Sequence, residues 1–291
     1  MSRPSTAEAV SGVAIEHHEI ATPDGVLHAL RGGEPTGTPV LLLHGMSSNS
    51  GRWVAAGFTD ALTRAVRRWI ALDVRGHGAS MKPYGTAHYR LPALIGDVLA
   101  LLDGLSLERV DVVGYSFGGH LAGEFAVAHP DRVRALVLIG SAVSGAPDLE
   151  HLEPGLEDLE KRYDAAYEAD DHDTLNALEA EIWLDGPFHP GRVTGSVRDL
   201  FLDMNRIALE APETGERRDD VDAWQNAAAV AVPTLVMVGE YDLDHTQGGA
   251  VHLAATIPGA RLVELPGVAH LPHLERDPLT LREIAGFVAG I

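Results

Sequence analysis

Apolar residues recur along the chain in short unbroken runs: Val40–Leu43, Trp69–Leu72, Val110–Val113, Leu136–Ile139, Thr234–Val238 and Leu262–Leu265. Runs of this length predict strands buried on both faces. Between them lie segments of helical length and period, Phe58–Val66, Leu91–Leu102, Phe117–Ala128 and Leu279–Ala289. Strands alternating with helices predict an α/β fold, a mostly parallel central sheet with helices on both faces. Ahead of this series Ile15–Ile20 alternates with polar residues, Thr22-Pro-Asp-Gly25 supplies a turn, and Val26–Leu30 returns. That pattern predicts a β-hairpin.

The rhythm breaks between Ile139 and Thr234. Here the chain carries amphipathic pieces, Leu152–Ala169, Asp173–Trp183, Val193–Ala208 and Val221–Ala229, interrupted by Pro and Gly. The strand pattern resumes directly afterwards, so residues 145–225 are expected to form a helical insertion rather than a separate domain, with 13–144 and 226–291 as the core. In an open parallel sheet ligands bind beyond the carboxyl ends of the strands. An insertion leaving a strand at that edge is therefore expected to lie over the site as a cap. Residues 1–12, small and polar, are expected to be a disordered tail.

Candidate chemistry collects at the same edge. Val110–Val113 runs into Gly114-Tyr-Ser116-Phe-Gly118-Gly119 and then a helical segment. A G-x-S-x-G sequence between strand and helix holds its serine on a tight, strained turn. A serine hydroxyl needs a base to act as a nucleophile at neutral pH. The chain has 15 histidines, and position selects His270, in the loop after Leu262–Leu265. His273 is expected to pack structurally, and His17, His18, His28, His151 and His172 to lie at the surface. The imidazole needs a carboxylate to fix its tautomer. Asp242, after Thr234–Val238, is the choice, with Asp244 as its rival. The order Ser, Asp, His is that of α/β-hydrolases. Backbone amides of Met46, after His44-Gly45, and Phe117 are the expected oxyanion donors. The loop Asp73-Val-Arg75-Gly-His77-Gly is expected to brace itself by hydrogen bonds and not to bind metal.

Together HGMSS at 44–48, DVRGHGAS at 73–80, GYSFGG at 114–119, GEYD at 239–242 and GVAHLPHLE at 267–275 resemble the α/β-hydrolase superfamily. The resemblance covers nearly all of the chain outside the insertion. It is strongest to the esterase, enol-lactonase and carbon–carbon hydrolase group, which implies a helical cap after the sixth strand. Ile182-Trp-Leu-Asp-Gly-Pro187 resembles a cap segment of enol-lactonase-like members. Dehalogenases and epoxide hydrolases differ, carrying an aspartate where Ser116 stands. The glycine usual before the catalytic histidine is Ala269 here.

Composition narrows the function. The net charge of −20 disfavours nucleic acid as a partner. The densest acidic stretch, from Asp148 to Asp185, holds 14 acidic residues against Lys161 and Arg162. The absence of cysteine excludes disulfides and thiolate chemistry and fits a reducing cytoplasm. No apolar run approaches the ~20 residues of a membrane span. The expected enzyme is a serine hydrolase, monomer or homodimer, that cleaves small, mainly apolar esters or lactones without cofactor or metal. Its pocket is expected to be lined by His44, Gly45, Trp183, Phe188, Phe201 and Met204, with Trp224 as a further wall residue. Carbon–carbon hydrolysis, perhydrolysis and a receptor on the same fold are the alternatives, because the site and not the fold sets the reaction.

Overall fold

The computed structural model describes residues 14–141, 143–146, 153–211 and 222–291. The expected tail 1–12, His151 and residues 147–152 and 212–221 of the expected insertion lie outside these residues. Among the described residues eight strands form one sheet: β1 (Glu16–Thr22), β2 (Gly25–Gly33), β3 (Pro39–Leu43), β4 (Arg68–Leu72), β5 (Val110–Tyr115), β6 (Val133–Ile139), β7 (Thr234–Gly239) and β8 (Arg261–Leu265). Their spatial order is β1-β2-β4-β3-β5-β6-β7-β8. The hairpin β1–β2 joins β4 antiparallel, and every other pairing is parallel.

Two-residue periodicity sorts the strand side chains to opposite faces. Leu41, Leu43, Val112, Leu136, Leu138 and Val236 face one apolar cluster, covered by α3 (Leu91–Gly104), α4 (Phe117–Ala128) and α9 (Asp244–Thr256). Val40, Leu42, Val113, Val137, Leu235 and Met237 face the other, covered by α1 (Gly51–Ala55), α2 (Phe58–Arg64) and α10 (Pro278–Ala289). Central strands β3 to β7 are nearly wholly buried, as their unbroken apolar runs require. β8 departs from that expectation. It is an edge strand, exposed at Arg261, Leu262 and Glu264. Its apolar run could not reveal this, because the identity of the neighbouring strand is a tertiary fact. Helix α9 also escapes the sequence pattern: two glycines and scattered polar residues in DHTQGGAVHLAAT leave it no clean apolar stripe.

Helices α5 (Glu157–Glu168), α6 (His172–Glu179) and α7 (Ser196–Leu209) stand between β6 and β7 in the chain, followed by the short α8 (Ala223–Asn226). At its C-terminal end α6 widens into a π-helical turn, Ala180–Asp185, a distortion often found at functional sites. Leu156, Leu159, Ala166, Leu175 and Leu178 bury against one another and against Leu243, from the loop after β7. Ala180, Leu184, Phe201 and Met204 instead join the sheet's second apolar cluster. No described helix is long and apolar enough to cross a membrane.

Candidate active site

The strand order reverses beside β3: the chain passes from β3 to β4 on one side, while β5 lies on the other. Such a switch point opens a crevice at the carboxyl ends of the strands. The loops after β3, β5, β6, β7 and β8 all end there.

Ser116 occupies the turn between β5 and α4 with φ 49° and ψ −122°, a backbone state that costs a non-glycine residue about 1–3 kcal/mol. Close packing holds it there. A Cβ on Gly114 would stand 2.2 Å from the Gly118 carbonyl oxygen, and one on Gly118 would stand 2.1 Å from that of Leu43. The Ser116 amide donates to the Ile139 carbonyl at 2.8 Å, tying the turn to the end of β6. The hydroxyl is thereby left to face the crevice, where it donates to His270 Nε2 at 2.8 Å.

His270 comes from the loop after β8. Its Nδ1 donates to the Asp242 carboxylate, 2.9 Å from Oδ2 and 3.0 Å from Oδ1. Asp242 Oδ1 also accepts the Leu243 amide at 2.9 Å. Asp242 is buried, whereas Asp244, its rival, is exposed and opens α9. Beneath the pair lies Gly140, at φ 52°, where a Cβ would press to 3.3 Å of both Asp242 Oδ2 and His270 Nδ1. Sequence reasoning missed Gly140. Its one signal was a glycine directly after an apolar strand.

Contrary to expectation, His44 and Gly45 line neither of the two cavities that meet at Ser116. The His44 ring turns into the core, where Nε2 accepts the Val74 amide at 3.1 Å and Nδ1 donates to the Gly45 carbonyl at 2.8 Å. Burial, reinforced by His77, lowers its pKa to about 3, so it is a neutral brace between the loops after β3 and β4. Gly45 lies against the Tyr115 ring, which a Cβ would meet at 2.5 Å. The Asp73 loop is braced as expected. Asp73 accepts the Ser50 amide at 2.6 Å, the Ala79 amide at 2.8 Å and His28 Nδ1 at 2.8 Å. Burial opposes its ionisation, but these donors outweigh it and hold the carboxyl well below the usual range. His28 is therefore a partner of this loop, not a surface residue. Arg75 grips Asp97 with two bonds, at 2.6 and 2.7 Å.

Two cavities, about 370 and 310 Å³, meet at Ser116, His270, Met46 and Trp183. The larger is walled by the insertion through Trp183, Phe201 and Met204, three residues the sequence singled out. The smaller is bounded by Tyr89, Leu91 and Leu94, with Phe117, His120, His245 and Thr246. Phe188 is absent from both. It follows the turn at Gly186-Pro187, is 54 % exposed, and rests near Gly155. Trp224 also lies outside them, stacked on His252 with ring centroids 3.6 Å apart. The Trp183 ring packs against His270, centroids 4.9 Å apart.

A clamp secures the insertion to the His270 loop. Arg192 binds Glu275 through two bonds, at 2.6 and 2.8 Å, and donates to the Gly267 carbonyl at 2.9 Å. Fork-to-fork pairing of this kind fixes orientation as well as contact. Asp185, fully buried, accepts the Gly191 and Val193 amides and Arg198, closing the loop that carries Arg192. His273 packs structurally on Tyr115, ring centroids 3.6 Å apart, but it also reaches the wall of the larger cavity. Burial, with His270 and His44 nearby, lowers its pKa to about 3. Sequence reasoning also missed Glu179 and Asn205 in that wall, because an acidic stretch reads as a solvated face.

Comparison with known proteins matches residues 38–277 to the family described as alpha/beta hydrolase fold. A 2-hydroxy-6-oxo-2,4-heptadienoate hydrolase of Pseudomonas putida is 34 % identical over 87 % of this chain and 90 % of its own length. The crystal structure of a hydrolase from Pseudomonas aeruginosa is 30 % identical, with a TM-score of 0.73, covering 94 % of this chain and 98 % of that one. The enol-lactonase of Burkholderia xenovorans is 25 % identical, with a TM-score of 0.70, covering 93 % of this chain and 99 % of that one.

Proposed function

Because this chain belongs to the α/β-hydrolase fold family and is a hydrolase, we propose that it cleaves the ester or lactone bond of a small, mainly apolar substrate through an acyl-enzyme on Ser116. The observation that carries this reading is the hydrogen-bonded line from the Ser116 hydroxyl through His270 to Asp242, placed where two cavities meet. His270 Nε2 takes the Ser116 proton as Oγ attacks the carbonyl carbon, and Asp242 stabilises the imidazolium. The Met46 and Phe117 amides receive the oxyanion. Phe117 opens α4, and a helix N-terminus favours negative charge. The imidazolium returns the proton to the leaving oxygen, and a water deprotonated by His270 then releases the acid. The two cavities divide the substrate between them, one for the acyl part and one for the leaving part. The insertion acts as the cap, with Trp183 over the base.

The dienoate hydrolase relative supports a second reading, carbon–carbon hydrolysis with the same three residues. A dienoate substrate carries a carboxylate, which calls for a cation in the pocket. No Lys or Arg is among the described residues lining either cavity, and this favours the ester or lactone.

The test is pre-steady-state release of p-nitrophenol from short acyl esters. A burst equal to the enzyme concentration is expected, lost in Ser116→Ala. Identical traces for wild type and variant would overturn the reading, and a receptor that binds without turnover would give no burst in either.

A further inference from the structure

The larger cavity is apolar along most of its wall, yet its insertion side carries two polar residues that the proposed mechanism does not use, Glu179 and Asn205. Their hydrogen bonds run in one direction. Asn176 Nδ2 donates to the Leu202 carbonyl at 2.9 Å, which turns its Oδ1 toward Asn205. Asn205 Nδ2 then donates both to Asn176 Oδ1, at 3.1 Å, and to Glu179 Oε2. The Tyr163 hydroxyl donates to Glu179 Oε1 at 2.9 Å, and burial together with this carboxylate pushes its pKa up.

The amide of Asn205 thus spends its nitrogen on the network, and its Oδ1 accepts from no described residue. Each carboxylate oxygen of Glu179 has capacity for a second donor beyond the one it holds, since an ionised carboxyl accepts about four hydrogen bonds and donates none. Glu179 and Asn205 therefore present only acceptors. Asn176 and Asn205 are themselves buried where α6 packs against α7, and Glu179, half-buried, is tied to them through Asn205 and to α5 through Tyr163. Without a Lys or Arg in the described lining, nothing there balances an anionic substrate group.

Resting on the reading of Ser116 as nucleophile, we propose that Glu179 and Asn205 form a specificity site for a hydrogen-bond donor, a hydroxyl or an ammonium, on the acyl part of the substrate, seated in the larger cavity. The preferred substrate is an ester with an apolar segment that ends in such a donor. A terminal methyl leaves the acceptors unpaired, and a terminal carboxylate sets two anions against each other. Either loss is expensive in a site shielded from water.

The experiment compares p-nitrophenyl esters of matched acyl length, from four to eight carbons, that end in hydroxyl, ammonium, methyl or carboxylate. At the best-fitting length the wild type is expected to show a kcat/KM about tenfold higher for a donor end than for methyl, and lowest for carboxylate. Comparing the hydroxyl and ammonium arms identifies which donor the site takes. Glu179→Gln is expected to shrink the donor-to-methyl ratio and the carboxylate penalty together. Asn205→Ala is expected to shrink the first ratio. Ratios within one variant cancel any general loss of active protein, and either variant suffices if the other does not fold. A wild-type donor-to-methyl ratio of one or below at every length, or ratios unmoved in the folded variants, would overturn the specificity site while leaving the nucleophile in place. Turnover of every ester by Ser116→Ala at the wild-type rate would remove the nucleophile reading, and this inference with it.

Discussion

The two sides of the crevice are built on different principles. On the sheet side the proposed reacting groups sit on a tightly packed backbone scaffold. Ser116 is held off the usual backbone regions by a turn so closely packed that a Cβ on Gly114 or Gly118 would come within 2.2 Å of a carbonyl oxygen, and Gly140 leaves no room for a side chain beneath Asp242 and His270. On the insertion side acidic helices cover a small apolar cluster of their own and lend Trp183, Phe201 and Met204 to the cavity wall. One side has its positions fixed by backbone, the other by side-chain packing and one arginine clamp. Chemistry that fails with a 1 Å displacement needs the first kind of support. Choice of substrate tolerates the second, and a wall made of side chains can be remodelled without disturbing the reacting groups.

Substitutions on the two sides should therefore fail differently. The largest effect is expected at the reacting groups: Ser116→Ala and Asp242→Asn should each lower kcat on the order of 10⁴-fold, with the fold intact by circular dichroism. Asp244→Asn, at an exposed position, should leave kcat within about twofold, because an exposed side chain outside hydrogen-bond reach of the imidazole has little leverage on turnover. A large loss in Asp244→Asn with none in Asp242→Asn would exchange their roles.

Next comes the backbone support. Gly118→Ala sets a methyl 2.1 Å from a strand carbonyl and should destabilise the protein by about 3 kcal/mol or more in urea unfolding. Wild-type stability in that variant would show that the turn has slack, and the contrast between the two sides would lose its basis.

On the insertion side Trp183→Ala should act mainly on binding, raising KM about tenfold, in line with the transfer energy of a large apolar side chain. An equal fall in kcat would make Trp183 part of the support for His270, on which it packs.

The smallest effect at neutral pH concerns His273. Its folded pKa, near 3, lies below the ~6.5 of an unfolded histidine. Between these values the unfolded chain binds a proton that the native state refuses, so stability falls as pH falls through the window. The slope is at most about 1.4 kcal/mol per pH unit per histidine, and His44 adds a similar share. His273→Phe keeps the stack on Tyr115 and should flatten the decline in melting temperature between pH 6.5 and 4. An unaltered decline would mean that the native ring takes up the proton too.

Much of the sheet side could be read from the chain. Short-range rules govern it: an apolar run makes a buried strand, a glycine-flanked serine between strand and helix makes a tight turn, and loops after parallel strands share an edge. Ser116, Asp242 and His270 follow from these rules, and the structure brings them within hydrogen-bond distance. The insertion side resisted the same reading. Phe188 and Phe201 look alike as aromatic residues among acidic neighbours, but one is turned to solvent and the other to the cavity. Glu179 resembles every other acid of its stretch until Asn205 and Tyr163 are seen around it.

The sequence by itself determined the class of fold, the order of its strands along the chain, and which three side chains would meet at the carboxyl edge of the sheet. Tertiary structure alone decided that β8 is an edge, that His44 braces rather than lines, and that Gly140 underlies the imidazole. The physical reason lies in the range of the forces involved. Local backbone preference and periodic burial act over a few residues and leave a pattern in the chain. The facing of one side chain toward a cavity depends on neighbours up to a hundred or more positions away.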